Sequence, residues 1–315
     1  MLFFFSLARS ISQRFCLSVK ESFELRKCLL EGFTECPQPQ AVFGIQRLLE
    51  LGESENRGEK GKHWNFFSVL SLFQSIFESK EQQLPPLYLK NIKVEIPLDN
   101  FIVIIDNKGT LSKMELLSQV FTSSDSSFLS MDCKCKSDFS LESKFNLRFD
   151  RKVKCFCCEW SKSLTLVILS QIGIRGVNSD QYLLIKELLS LPSSAGALGG
   201  IDKNAYYFIG FLEPDSLVYL DPHLVQNSVS SIGKPELSSY EAKDLMVVKY
   251  TKISTSFASA FSISSYQEFE ALLESLAAFE ACYKNDYFLT SVFDEQAERN
   301  TDAPVESTLS IITFN

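Results

Sequence analysis

The sequence predicts an α+β fold in which a central antiparallel sheet is flanked by helices. Three observations carry this reading. The aromatic-rich stretch Ala205 to Leu212 and the stretch Leu217-Val218-Tyr219-Leu220 stand on either side of Glu213-Pro214-Asp215-Ser216, the pattern of two strands joined in a hairpin. Leu164 to Leu169 is a continuous apolar run of strand length, as expected for a strand buried on both faces. Apolar residues recur at helical spacing near both ends, as Phe4, Leu7, Ala8, Ile11 and Phe15 and again within Gln267 to Phe279. With 315 residues, 45% of them hydrophobic, the chain has ample material for one buried core.

Along the chain, residues 21–51 read as helices interrupted by Pro37 and Pro39, with the helical pattern resuming at Val42. Gly52 to Lys62 is polar and reads as a loop, and Trp64 to Phe77 as a buried helix ended by Pro85-Pro86. Lys93 to Ile105 is strand-like, and Asp106-Asn107-Lys108-Gly109 signals a turn. Residues 107–153, rich in Ser, Lys and Asp with short apolar islands, read as an insertion with partial structure. Asp180 to Leu189 reads as a helix stopped by Pro192, and Leu245 to Tyr250 as a further strand. Residues 294–315 are polar and read as a mobile tail, leaving 1–293 as a single domain.

Composition narrows the function. A net charge of −8 argues against non-specific nucleic-acid binding. No run of about 18 apolar residues suggests a membrane-spanning helix. The 9 Cys are odd in number and do not form an evenly spaced secreted framework, so free thiols in a reducing, cytoplasmic setting are expected. Residues 1–20 carry Arg9, Arg14 and Lys20 and no acid before Glu21, a composition that also suits a transit peptide. The helical spacing of Phe4 to Phe15 favours a core helix instead.

Three constellations are candidates for chemistry. Asp221-Pro222-His223 closes the hairpin; in an extended segment residues i and i+2 face the same way, so the carboxylate could fix the imidazole tautomer as a hydrolytic base requires. The same tripeptide also arises as a strand end with an incidental surface His. Cys133 and Cys135 with Cys155, Cys157 and Cys158 offer four thiolates, but the CxC and Cys-Phe-Cys-Cys spacings are irregular for structural zinc, and neither a metal nor a cofactor is expected. Gly196-Ala197-Leu198-Gly199-Gly200 lacks the spacing of a phosphate loop and reads as a backbone that must stay slim, in a turn or beside a substrate chain.

The run Pro192 to Gly200, then Ala205-Tyr206-Tyr207-Phe208-Ile209-Gly210, then Tyr219-Leu220-Asp221-Pro222-His223 and Gln226, resembles the autophagy-related protein 4 cysteine protease family in order and spacing. Weaker matches flank it: Phe43-Gly44-Ile45-Gln46 through Trp64, Asp99-Asn100, Ile172 to Tyr182, and Ser254 to Phe261 with Phe269, which resemble the family's final strand and helix. The resemblance implies a papain-like cysteine protease fold. It implies Asp221 and His223 as orienter and base, and a lid over the cleft formed by Trp64 and the segment holding Gly199 and Gly200. It implies a substrate, the ubiquitin-like autophagy-related protein 8, cut after a Gly near its carboxyl terminus and also released from phosphatidylethanolamine. Membrane contact would then come only through the lipidated substrate.

The sequence departs from the family pattern in several places. Ile201-Asp202-Lys203 replaces Lys-Pro-Asn after the double Gly, Gln171 replaces an Arg, and the Gly-Pro after the Trp is lost among Asn65-Phe66-Phe67. The family's Gly-Trp-Gly-Cys-Met-Leu-Arg is matched by Ser6-Leu7-Ala8-Arg9-Ser10 at best, which puts Ser6 at the nucleophile position, and the family's oxyanion-stabilising Tyr has no counterpart. Two functions follow as expectations. The first is a cysteine endopeptidase whose natural chain begins upstream of Met1. The second is a catalytically dead or truncated binder of the same partner. Cys16 is a conceivable substitute nucleophile with no family match around it.

Overall fold

The computed structural model describes residues 2–14, 17–33, 41–55, 64, 66–78, 87–89, 94–96, 101–107, 109–121, 160, 162–173, 176–223, 245–283 and 291–293. The Cys133, Cys135, Cys155, Cys157 and Cys158 cluster and the 294–315 tail lie outside the described residues. The elements run α1 (Leu2–Arg14), α2 (Val19–Gly32), α3 (Ile45–Ser54), α4 (Phe66–Glu78), β1 (Leu87–Leu89), β2 (Val94–Ile96), β3 (Phe101–Asp106), β4 (Thr110–Ser112) and α5 (Lys113–Val120). They continue with β5 (Ser163–Gln171), α6 (Ser179–Ser190), β6 (Ser194–Ile201), β7 (Asn204–Leu212), β8 (Ser216–Leu220), β9 (Met246–Lys249), β10 (Ile253–Ile263), α7 (Tyr266–Tyr283) and β11 (Ser291–Phe293). The expected 107–153 insertion therefore begins with a strand and a helix, Thr110 to Val120.

Seven strands form one sheet in the order β3-β5-β10-β6-β7-β8-β9. Every pair is antiparallel except β3 with β5, so the expected antiparallel sheet carries one parallel pair at its edge. The predicted hairpin is present, with Tyr207 opposite Leu220 and Leu212 opposite Ser216. β5 shows why its sequence is continuously apolar. Leu164, Leu166 and Ile168 pack on one face with α7 residues Phe269, Leu272 and Leu276, while Val167 packs on the other with Leu7 and Ile11 of α1. The sheet is thus covered on both sides, by α1, α2 and α4 on one face and by α5, α6 and α7 on the other. The amino-terminal segment is the core helix its spacing predicts, with Leu7, Ala8 and Ile11 buried.

The helix α6 starts at a capping box. Asn178 Oδ1 accepts from the Gln181 backbone N–H at 2.9 Å, and Gln181 Oε1 accepts from the Asn178 N–H at 2.6 Å. α6 buries Tyr182, Leu184, Ile185 and Leu188 against the sheet.

The Gly196–Gly200 segment is a strand rather than the expected loop. β6 is hydrogen-bonded to β10 on one side and β7 on the other, and the chain reverses later, at Asp202, which has φ of 54°. The glycines are needed for space. A Cβ on Gly199 would lie 2.7 Å from the Phe257 ring and 2.9 Å from the Phe208 ring, two buried rings stacked with centroids 5.5 Å apart. Gly196 has φ of 89°, in the left-handed region that disfavours side chains, and a Cβ there would meet the Phe208 carbonyl oxygen at 2.7 Å. Replacing Gly199 with Ala is expected to cost about 1–3 kcal/mol by overpacking. A fall in Tm on thermal unfolding checks this, with the less enclosed Gly210→Ala as the control, since a Cβ at Gly210 meets nothing within 4 Å.

Candidate active site

β8 ends at Leu220, and the next three residues turn away from the sheet. The Asp221 and His223 pair forms there, by a different geometry from the extended segment expected. Asp221 Oδ1 accepts the backbone N–H of His223 at 2.8 Å, closing a turn of the kind short acidic side chains make two residues on. The same Oδ1 lies 2.8 Å from His223 Nδ1. One oxygen therefore fixes both the backbone and the ring of His223. The pairing selects the tautomer with the proton on Nδ1 and leaves Nε2 with a free lone pair, the arrangement of an orienting acid and a general base.

The His223 side chain is 48% exposed, so Nε2 is reachable from solvent, while the Asp221 side chain is only 16% exposed. The backbone N–H of His223 holds the Asp221 carboxyl below the usual carboxylate range; partial burial opposes this, and the imidazole adds to it. The imidazole also meets the Tyr206 ring edge to face, with centroids 5.3 Å apart and planes at 68°. Tyr206 in turn meets Tyr219 at 4.9 Å and 72°. Sequence reasoning did not single out Tyr206 as a site residue. Its signal was available in the register, since Tyr206 sits on β7 opposite Gly199, in the strand beside β8.

The remaining candidates fall elsewhere. Ser6 is fully buried, and its Oγ is hydrogen-bonded to Thr165 Oγ1 of β5 at 2.6 Å. Trp64 is half-buried just before α4, and its ring rests on Gly52 of α3, where a Cβ would lie 2.1 Å from it. Gly199 and Gly200 lie in β6, where the Gly200 N–H donates to Ser254 Oγ at 3.2 Å. The structure brings together Asp221 and His223, and it places Tyr206 with them.

A family model described as the peptidase C54 catalytic domain matches residues 4–275. The chain belongs to the peptidase C54 family. This is a papain-like cysteine protease family, in agreement with the fold. A protein named Cysteine protease atg4 from Dictyostelium discoideum is 34% identical over 121 residues, 38% of this chain and 16% of that protein. Cysteine protease ATG4A from Bos taurus is 45% identical over 75 residues, 24% of this chain and 19% of that protein. Cysteine protease ATG4C from Xenopus laevis is 30% identical over 139 residues, 44% of this chain and 31% of that protein. The chain thus matches less than a third of the length of each of these C54 relatives.

Two outcomes test this geometry. Ser6→Ala strands the Thr165 hydroxyl in the core and should cost about 1–3 kcal/mol, whereas Ser6→Ala combined with Thr165→Val should recover most of that loss, read by denaturant unfolding. The depressed Asp221 carboxyl gives the turn a stabilising contribution that is present above the unfolded carboxylate value of about 4 and lost as pH falls through the folded value below it. The Asp221 side-chain carboxyl carbon resonance, followed by NMR as the pH is lowered, should titrate with a midpoint below the ordinary carboxylate value of about 4, and a midpoint at or above that value would count against the turn.

Proposed function

We propose that this chain is the core of a cytoplasmic thiol endopeptidase that cleaves the carboxyl-terminal tail of the ubiquitin-like autophagy-related protein 8 after Gly. It also releases that protein from its phosphatidylethanolamine conjugate. The observation that carries the reading is the Asp221 Oδ1 to His223 Nδ1 contact of 2.8 Å at the end of β8, in a chain of the C54 family. His223 is the general base and Asp221 its orienter. The proposed partners are the ubiquitin-like protein and its lipid conjugate, with membrane contact only through the conjugate. The names of the relatives, all cysteine proteases, support the same reading.

Ser6 does not serve as nucleophile in this reading. Its hydroxyl is buried and hydrogen-bonded to Thr165, and a hydroxyl is a far weaker acid than a thiol, so it needs a base within reach. A binder that retains the surface but not the cutting thiol is the other outcome of the test. The substrate is the ubiquitin-like partner carrying a tag after its terminal Gly. The chain as given is expected to bind it and cut it barely. A longer form reading Gly-Trp-Gly-Cys ahead of α1 is expected to cut it, and to lose roughly a hundredfold or more in rate on His223→Ala. Cleavage by the longer form that is indifferent to His223 would overturn the assignment, and binding without cleavage by both forms would leave the binder.

A further inference from the structure

Between the sheet and the exposed His223 stands a side chain that the acid–base reading does not use. Tyr206 presents its ring to the His223 imidazole at 5.3 Å and 68°, and is itself held by Tyr219 at 4.9 Å and 72°. Both tyrosines belong to hydrogen-bonded neighbouring strands. Tyr206 pairs with Gly199 across β6 and β7, and Tyr219 pairs with Phe208 across β7 and β8. Phe208 is fully buried and stacked on Phe257. The tyrosines are thus anchored to a rigid layer, whereas His223 lies three residues beyond the last strand residue, Leu220.

We infer that Tyr206 is a positioning residue for His223, whose ring fixes the imidazole against Asp221. The inference rests on the reading of Asp221 and His223 as orienter and base. The physical need is clear from the exposure. Asp221 sets the Nδ1–H tautomer through one hydrogen bond on a half-exposed ring, where water competes for the imidazole, so a second contact on the ring strengthens that preference. An edge-to-face aromatic neighbour favours one ring orientation over the others, here the one paired with Asp221. Among the described residues, the groups that face the imidazole are the Asp221 carboxylate and the Tyr206 ring, with Tyr219 behind the latter. The requirement is for a ring, not for the phenol oxygen, so Phe should serve and an aliphatic side chain should not.

The chain has only 2 His, which makes the test direct. In a His63→Gln background, the imidazole nitrogen NMR spectrum of the full chain reports His223 alone. Near neutral pH the spectrum should show the Nδ1–H tautomer in excess. Tyr206→Leu should shift it toward a mixture of tautomers, and Tyr206→Phe should keep it. Tyr206→Thr, a good strand former, replaces Leu if the Leu variant does not fold. In a form that cleaves substrate, the aliphatic variants should lose about two- to tenfold in kcat with KM unchanged, the range expected for one aromatic contact, and Phe should restore it. An unchanged tautomer ratio in the folded Leu or Thr variant, or a Phe variant as impaired as they are, would overturn the inference. The spectrum reads the imidazole whether or not the chain cuts anything. A failure of the protease reading would show instead as activity indifferent to His223→Ala.

Discussion

The structure depends on satisfying polar groups inside a dry layer. α1 lies flat on the centre of the sheet, yet two of its buried side chains are serines. Ser6 Oγ is tied to Thr165 of β5, Ser10 Oγ to Ser262 of β10, and the Arg9 guanidinium donates to the Ser194 carbonyl at the start of β6 at 2.7 Å. Each group would be costly to bury alone, so these three contacts favour one rotation and one height of the helix, although the Arg9 Nε is buried without a partner among the described residues. Apolar packing supplies most of the attraction, through Leu7 and Ile11 against Val167, Ala258 and Ala260. It would tolerate neighbouring registers; the hydrogen bonds do not. Burial has a cost even here, since it makes the charged form of Arg9 harder to hold, with Glu268 nearby acting in the opposite sense.

The candidate site inherits this rigidity through the sheet. β10 fixes β6, β6 fixes β7 and β7 fixes β8, so the exit of β8 at Leu220 is set by the same layer that α1 clamps. The glycines of β6 matter for this reason. They let the Phe208 and Phe257 rings close against the strand where a side chain would push them away. Tyr207 adds a buried phenol that donates to the Ala195 carbonyl, and burial raises its pKa far beyond the usual tyrosine range. Of the described residues between β8 and β9, Asp221 to His223 leave the sheet directly after β8, and Asp221 folds them with a single oxygen atom.

Much of this was legible in the sequence where the signal was local. The β7–β8 hairpin, the doubly buried β5, the core helix α1 and the Asp221–His223 pair all followed from spacing and alternation. The longest strand, β10, did not stand out by pattern, because Ile253 to Ile263 is dominated by Ser and Ala. Its burial comes from neighbours on both sides, and small residues there leave room for α1. The sequence of Gly196–Gly200 reads as a backbone that must stay slim or take positive φ, in a turn or beside a substrate chain; it is slim and has positive φ at Gly196, but as a strand, and the two aromatic rings that require the space are contacts made across the sheet. The Asp221–His223 contact was foreseen for the wrong geometric reason. Pro222 and the Asp221 side chain favour a turn, and the turn brings the ring to the same oxygen that alternation along a strand would have offered.

The orientation of α1 gives these pieces a common sense. Gln13, near its carboxyl end, reaches Ser264 and Glu268 beyond the end of β10, and Ser10 reaches Ser262. Ser6 meets Thr165 of β5, which pairs with the same Ser262, and Arg9 meets Ser194 of β6, which pairs with Phe261, so α1 runs across the strands at this level, away from the Ile253 end of β10. In the sheet register Ile253 pairs with Ile201, and Ala258 is in line with Leu198, Tyr207 and Leu220. That is the end of the sheet from which Asp221 and His223 project. Ser6 lies more than a turn into the helix, buried against Thr165 of β5. The fold thus separates two tasks: the polar contacts of α1 hold the helix across the sheet at the level of Ser262, and the carboxylate and imidazole are assembled beyond Leu220, toward the other end of the strands.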